Sequence, residues 1–352
     1  MASNDHYVIA GNGPAGNAAL NTLRKNDPES RITIISDESV GFYSKPRLCS
    51  YISGRIEEDE LFIHEDLSFD NTRLRLGQHI QSIDPDQKII FLSHMEKINY
   101  TKLIIASGSK PSPSPYMTQF MPYLKSITDF HEAKTHKQCI HDAQQFLVLG
   151  GDLVGFKFID MLISMGKAAT LILYPQAFWP FVLDSDMVDR ITASLEPKGI
   201  RIMVNDRIQS IQDADGGYQV ATLNHARNEI EEHYCDQVFA FSGMTPNIDF
   251  ACKKGFDIDH GILVNEYLRT RFQDVYACGS CAQIFNPILK VYQTTIGWTN
   301  AETQGEIAAL NLLGANQVTR LAPQKYFDLE GVKIKTSWWD DTDENPNPDG
   351  DF

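Results

Sequence analysis

Apolar residues in this chain come in short blocks cut by glycine, proline and polar turns, and one order of blocks occurs twice. Residues 6–11 predict a short apolar strand and Pro14 to about Lys25 an Ala/Leu-rich helix. Arg31-Ile-Thr-Ile-Ile-Ser36, rich in β-branched residues, predicts a second strand. The same strand–helix–strand order returns at 146–150, at about 152–165 and at Ala169-Thr-Leu-Ile-Leu-Tyr174. Two such units predict an α/β fold made by duplication of whole units rather than a short-period solenoid. Further apolar strands are expected at Lys88–Leu92, Leu103–Ala106, Ile200–Met203 and Gln237–Phe241. Pro111-Ser-Pro-Ser-Pro115 reads as a linker, since this proline density holds neither a helix nor an inner strand. A helix from about Trp298 to Leu313 is closed by Gly314, and one or two strands are expected between Tyr326 and Trp339.

Both units turn on glycine. Gly11-Asn-Gly13-Pro14-Ala15-Gly16 joins the first strand to the first helix. Glycines at this spacing let the backbone bend sharply and let a pyrophosphate approach the helix start, where free N–H groups and the macrodipole favour anions. A carboxylate for a ribose belongs at the end of the next strand; Asp37 and Glu38 both stand there, and Glu38 is preferred. The second turn is altered. Gly150-Gly151-Asp152-Leu-Val-Gly155 carries Asp152 where the middle glycine belongs, adding bulk and a negative charge beside the place for a dianionic group.

Composition narrows the function. A length of 352 residues fits about two domains, each large enough for a core. The net charge of −15 argues against nucleic acid, whose binding needs a basic surface. Part of that charge lies in the tail from Asp340 to Asp351, which reads as solvated and follows Trp338-Trp339. No secretory signal is visible and no apolar run approaches the roughly 20 residues of a membrane span, so a cytoplasmic location is expected. Six cysteines without a secretion signal predict reduced thiols. The one Cys-x-x-Cys, Cys278-Gly-Ser-Cys281, lacks the second pair a zinc site requires, and no metal is expected.

Four further segments carry a family likeness. They are Phe42-Tyr43-Ser-Lys45-Pro46-Arg-Leu48 with its continuation to Gly54; Ala106-Ser107-Gly108-Ser-Lys-Pro111; Gly243-Met-Thr-Pro246-Asn247 followed by Gly261 to Thr270; and Asp274-Val-Tyr-Ala-Cys278-Gly279-Ser280-Cys281-Ala282. With the first glycine turn, and over residues 6 to about 314, the chain resembles the FAD-dependent pyridine nucleotide–disulfide oxidoreductases, in particular the NADH:rubredoxin and related iron-protein reductases. The resemblance implies two Rossmann-like nucleotide-binding domains. The FAD domain would be discontinuous (1–112 and 242–314), with an NAD(P)-binding-like domain at 113–241. The C-terminal domain would be cut down to a short extension at 315–352. It implies FAD on Gly11, Gly13, Pro14, Ala15, Gly16, Glu38, Lys45, Pro46, Ala106, Ser107, Gly108, Gly279, Ser280, Gly297 and Trp298. Lys45 would lie near the reactive flavin nitrogen, and the helix starting at Gly297-Trp298 would point at the pyrimidine edge.

Departures from the family pattern matter equally. The redox pair Cys-x4-Cys is missing: Cys49 stands alone and reads as a structural residue, which disfavours disulfide reduction. Cys278 and Cys281 read as packing residues, and Ser280 replaces the usual ribityl-contacting Asp. Lys157 replaces the family Glu that pairs with the flavin-side lysine, so Lys45 and Lys157 are expected to make the flavin surroundings more positive. Asp152 and Lys157 put the use of NAD(P)H in question, and Leu173-Tyr174-Pro-Gln176 offers neither the carboxylate of an NAD site nor the arginine of an NADP site. The expected function is an FAD-dependent oxidoreductase relaying electrons between a donor and a small iron or iron–sulfur carrier. The alternative is an FAD-carrying subunit of a larger electron-transfer complex that does not use NAD(P)H itself. Oligomeric state is not legible.

Overall fold

The structure, a computed structural model, describes residues 5–63, 71–112, 115–173, 183–224, 226–241, 243–252, 255–319 and 326–335. Its first sheet has five parallel strands in the order Val275–Ala277, Lys102–Ile105, His6–Ala10, Arg31–Ile35 and Thr72–Arg75. His6–Ala10 is buried at every position, with a paired strand on each side and its side chains in one core with helix Pro14–Asn26 and the strands Ile80–Asp84 and Ile89–Leu92. The outermost strand comes from beyond the whole of the second sheet in sequence. That second sheet is also parallel, in the order Ile200–Val204, Ala168–Leu173, Gln145–Gly150 and Gln237–Phe241.

Helix Pro14–Asn26 leaves the first sheet and packs along helix Trp298–Leu312. Their approach is set by Gly305, where an added Cβ would come within 2.0 Å of the Ala15 carbonyl oxygen. The later helix ends as expected at Gly314. Its φ of +101° lets Ala315 N–H bond to Leu310 O at 3.0 Å while Gly314 N–H bonds to Asn311 O at 2.9 Å.

Several elements escaped the apolar-run reading. A three-stranded antiparallel sheet follows the second unit's third strand (Asp206–Ala214, Gly217–Asn224 and Glu229–Cys235), and its strands alternate buried with charged or polar positions. Helices Phe130–Asp142 and Ser185–Leu195 begin at Asp129 and Asp184, whose carboxylates accept from Glu132 N and Met187 N, each at 2.8 Å.

Where one or two strands are expected after residue 326, Tyr326–Leu329 and Val332–Lys335 pair as a hairpin. Phe327, Leu329, Val332 and Ile334 are buried in the core of the second unit, with Phe327 stacked on Phe156 at 6.2 Å. Trp338-Trp339 and the acidic tail lie outside the described residues, as do Tyr174 to Gln176 and part of the proline linker. Among the described residues, no helix is long and apolar enough to cross a membrane, and no group of three His, Cys, Asp or Glu stands ready for a metal.

Candidate functional site

The first glycine turn is built around one close approach. Gly11 has φ +120° and donates to Ile35 O at 2.8 Å; an added Cβ would stand 2.0 Å from the Ala106 carbonyl oxygen. Gly16 is equally constrained, its missing Cβ falling 2.0 Å from Gly11 O. Gly13 differs: its φ of −87° is ordinary, and nothing lies within 4 Å of a Cβ placed there. Open space therefore stands at the start of helix Pro14–Asn26, which has Pro14 in its first turn and no side-chain cap. Both amide atoms of Asn12 are buried without a hydrogen-bond partner among the described residues. A buried unpaired amide costs about 1–3 kcal/mol, and an uncapped helix start favours an anion. The turn has the shape, the donors and the unmet polar demand of a phosphate cradle.

Other expected residues converge on it. Gly279 N–H donates to Gln304 Oε1 at 2.7 Å, and Gln304 Nε2 donates to Thr295 Oγ1 at 2.7 Å, all buried. This chain of bonds fixes the Gly279-Ser280 turn beside Ala15. Ser107 Oγ donates to Asn247 O at 2.7 Å and Asn247 N–H to Gly108 O at 3.0 Å. Ser109–Pro111 meanwhile pairs with Met244–Pro246. The Ala106-Ser107-Gly108 turn and the return crossing after residue 241 are thus one fastened unit. Gly297, at φ +99°, starts the helix whose Trp298 stacks on Phe42 at 5.4 Å. Burial raises the thiols of Cys278 and Cys281, and Cys281 Sγ–H donates to Cys278 O at 3.2 Å. Both thiols pack in the interior, consistent with the expected structural role.

The lysines meet partners that sequence alone did not supply. Lys45 Nζ pairs with Glu38 Oε1 at 2.7 Å, and Tyr43 O–H donates to Glu38 Oε2 at 2.6 Å. Tyr43 also accepts from the Phe130 N–H at 2.9 Å, joining this corner to the helix of the next unit. Burial and the Glu38 charge push the Tyr43 phenol up, so it stays protonated as a donor. Pro46 lies next to Lys45 in a short 3-10 turn. Lys157 bears on Cys49 and Asp160, drawing both toward ionisation against the burial that raises them. Desolvation nevertheless leaves the Cys49 thiol at about 12, too high for a nucleophile.

The second turn repeats the first turn's backbone. Gly150 has φ +121°, and its missing Cβ would fall 1.9 Å from Phe241 O; that of Gly155 would stand 3.1 Å from the Phe241 Cβ. Gly151 is buried beside it. Asp152 caps helix Leu153–Ser164: Oδ1 accepts from Gly155 N–H at 2.8 Å, and Oδ2 accepts from Gly243 N–H at 3.2 Å. The residue is 6% exposed. Desolvation raises its carboxyl, while backbone bonds from Gly155, Gly243 and Val154 oppose the rise.

Sequence reasoning missed Asn12, Gln304, Gly305 and the bridge through Tyr43. Gly305 carried a signal, since a glycine inside a helix is disfavoured by about 1 kcal/mol unless close packing needs it.

With both turns in view, likenesses to known proteins take on meaning. The nitric oxide reductase FlRd-NAD(+) reductase of Shigella flexneri is 29% identical over 333 residues, covering 94% of this chain and 83% of its own length. Its counterpart in Escherichia coli K12 matches over the same extent. Among solved structures, the putidaredoxin reductase–putidaredoxin complex superposes with a TM-score of 0.79 at 23% identity, covering 93% of this chain and 80% of that one. The NADH:rubredoxin oxidoreductase from Clostridium acetobutylicum gives 0.76 at 24% identity, covering 99% and 85%. These two establish a shared fold. The family description "pyridine nucleotide-disulphide oxidoreductase" matches residues 5–305, a span containing both glycine turns, and the chain belongs to that family.

Proposed function

We propose that this chain is an FAD-dependent oxidoreductase that relays electrons to a small redox protein of the iron or iron–sulfur type. The observation that carries the proposal is the first turn, where open space at Gly13 adjoins an uncapped helix start and the unpaired amide of Asn12. On this proposal residues 1–112 and 242–314 form the FAD-binding unit, 113–241 the NAD(P)-binding-like unit and 315–352 a short extension.

FAD, when bound, accepts an electron pair and releases electrons singly. The chain's own residues hold it. Gly11, Gly13, Pro14, Ala15 and Gly16 would receive the pyrophosphate, and Glu38, held by Tyr43 and Lys45, would take the ribose. The fastened turns at Ala106-Ser107-Gly108 and Gly279-Ser280 line the middle of the cofactor. Gly297 and Trp298 would border its ring, where the helix start favours negative charge. Lys45, expected at the ring, touches Glu38 and with Pro46 would instead lie toward the ribose end.

Two donors divide the reading. The curated relatives are named for NAD(+), and that likeness makes a reduced nicotinamide nucleotide the first candidate. The geometry of Asp152 favours the second, in which the chain is an FAD-carrying subunit fed by another protein. The central claim is tested by extracting and quantifying flavin from the purified protein. The dithionite-reduced protein is then mixed anaerobically with a rubredoxin or a [2Fe–2S] ferredoxin. Flavin reoxidation with matching carrier reduction is expected; absence of flavin, or no transfer to either carrier, refutes it.

A further inference from the structure

We propose that Asp152 is a resident anion that closes the second nucleotide turn, so that this chain does not seat the pyrophosphate of NADH or NADPH there. The inference rests on the flavoprotein reading for the meaning of that turn and decides between its two donors.

Gly11 and Gly150 have φ values of +120° and +121°, and each abuts a strand carbonyl, that of Ala106 or Phe241, in the same way. The two turns therefore share a frame, and the difference that bears on an anion is at the helix N-cap, Gly13 in one and Asp152 in the other. In the first, Gly13 leaves open space and a helix start with no side-chain cap. In the second, the Asp152 carboxylate occupies that position and both of its oxygens are engaged, on Gly155 N–H at 2.8 Å and Gly243 N–H at 3.2 Å.

Two effects oppose a dinucleotide. The helix-start N–H that an incoming phosphate would take is already paired, and a buried negative charge stands against a second one. Rotating the carboxylate aside does not remove the conflict. Gly155 and Gly243 would lose their acceptor, and the return crossing that Gly243 belongs to would lose its tie to the helix. Asp152 thus acts as a specificity-determining residue, and it makes the second unit a scaffold rather than a dinucleotide site.

The test uses the FAD-loaded full chain. Calorimetric titration with NAD(+), NADP(+) and ADP-ribose is paired with anaerobic mixing with NADH and NADPH followed at the flavin absorbance. Wild type is expected to show no saturable binding below about 1 mM and no bleaching within minutes. Asp152→Gly is expected to bind at least about 30-fold more tightly than wild type, because it removes both bulk and charge. Asp152→Asn keeps the size and one acceptor, loses the charge, and is expected to gain less. Asp152→Gly strips Gly155 and Gly243 of their acceptor at a cost of about 1–3 kcal/mol, and retained flavin and melting temperature report whether the variants fold. Wild-type binding tighter than about 0.1 mM, bleaching by NADH within seconds, or equal nucleotide affinity in all three proteins overturns the inference. A chain that carries no flavin overturns the functional reading instead, while the difference in affinity between wild type and Asp152→Gly still decides the role of Asp152.

Discussion

If a carboxylate at the middle turn position expels a pyrophosphate, writing one into the intact turn must expel FAD. Gly13→Asp is the reciprocal change. Gly13 has an ordinary φ of −87° and an added Cβ meets nothing within 4 Å, so the backbone accepts a side chain without strain. An N-cap Asp gains the helix a few tenths of a kcal/mol over Gly, and the flavin-free protein is expected to melt no lower than wild type. The cofactor meets the opposite balance. Two unit charges about 4 Å apart repel by about 4 kcal/mol at an effective dielectric of 20. Halving this for solvent access to the open turn leaves about 2 kcal/mol, or roughly a 30-fold loss of affinity before the occupied N–H groups are counted. The assay is the ratio of flavin absorbance to protein absorbance after gel filtration, with FAD back-titration of the stripped protein. Gly13→Ala is the control for bulk alone and is expected to keep most of its flavin. Full flavin content in Gly13→Asp would refute the reasoning for both turns at once.

Other expectations follow from contacts already described. Gly305→Ala drives a Cβ to 2.0 Å from the Ala15 carbonyl oxygen, and parting the two helices is expected to cost about 1–3 kcal/mol in urea unfolding and to loosen flavin binding; unchanged stability would show that the helices slide freely. Tyr43→Phe strips Phe130 N–H of its acceptor and Glu38 of a donor, for an expected loss of about 1–3 kcal/mol by the same measurement. Burial holds the Cys235 thiol at about 12 and pushes that of Cys278 well up, so raising the pH from 7 to 9 is expected to leave both unalkylated by iodoacetamide in the folded protein. The exposed Cys252 is expected to react first, and mass spectrometry locates the label. Early labelling of Cys278 or Cys281 would reopen a redox role for that pair.

What was legible in the sequence was local and steric. Gly11 must be glycine because a carbonyl stands 2.0 Å from its absent Cβ, and Gly314 because a helix end needs φ +101°. Such constraints leave an unmistakable residue at a fixed spacing. Asp152 was legible as an intruder but not as a satisfied cap, because one of its two partners, Gly243, lies 91 positions away. Lys45 was placed by resemblance against the flavin and Glu38 against a ribose, and nothing in their spacing revealed that they meet each other. The antiparallel sheet after residue 206 stayed hidden for another reason: its strands bury alternate residues only, so charged or polar residues interrupt the apolar runs.

The C-terminal hairpin also sets an order of events during synthesis. Most of the second unit's core residues have emerged by Phe241, yet Phe327, Leu329, Val332 and Ile334 are needed to finish that core. At translation rates of about 5–20 residues per second, the ribosome delivers them on the order of ten seconds later. Meanwhile the first unit waits for Val275–Ala277 and the helix that rests on Ala15. Neither unit can seal early, and a chain released before residue 327 leaves Phe156 without the ring that stacks on it. Nonsense and frameshift lesions anywhere before the hairpin are therefore expected to yield protein that chaperones and proteases treat as unfinished.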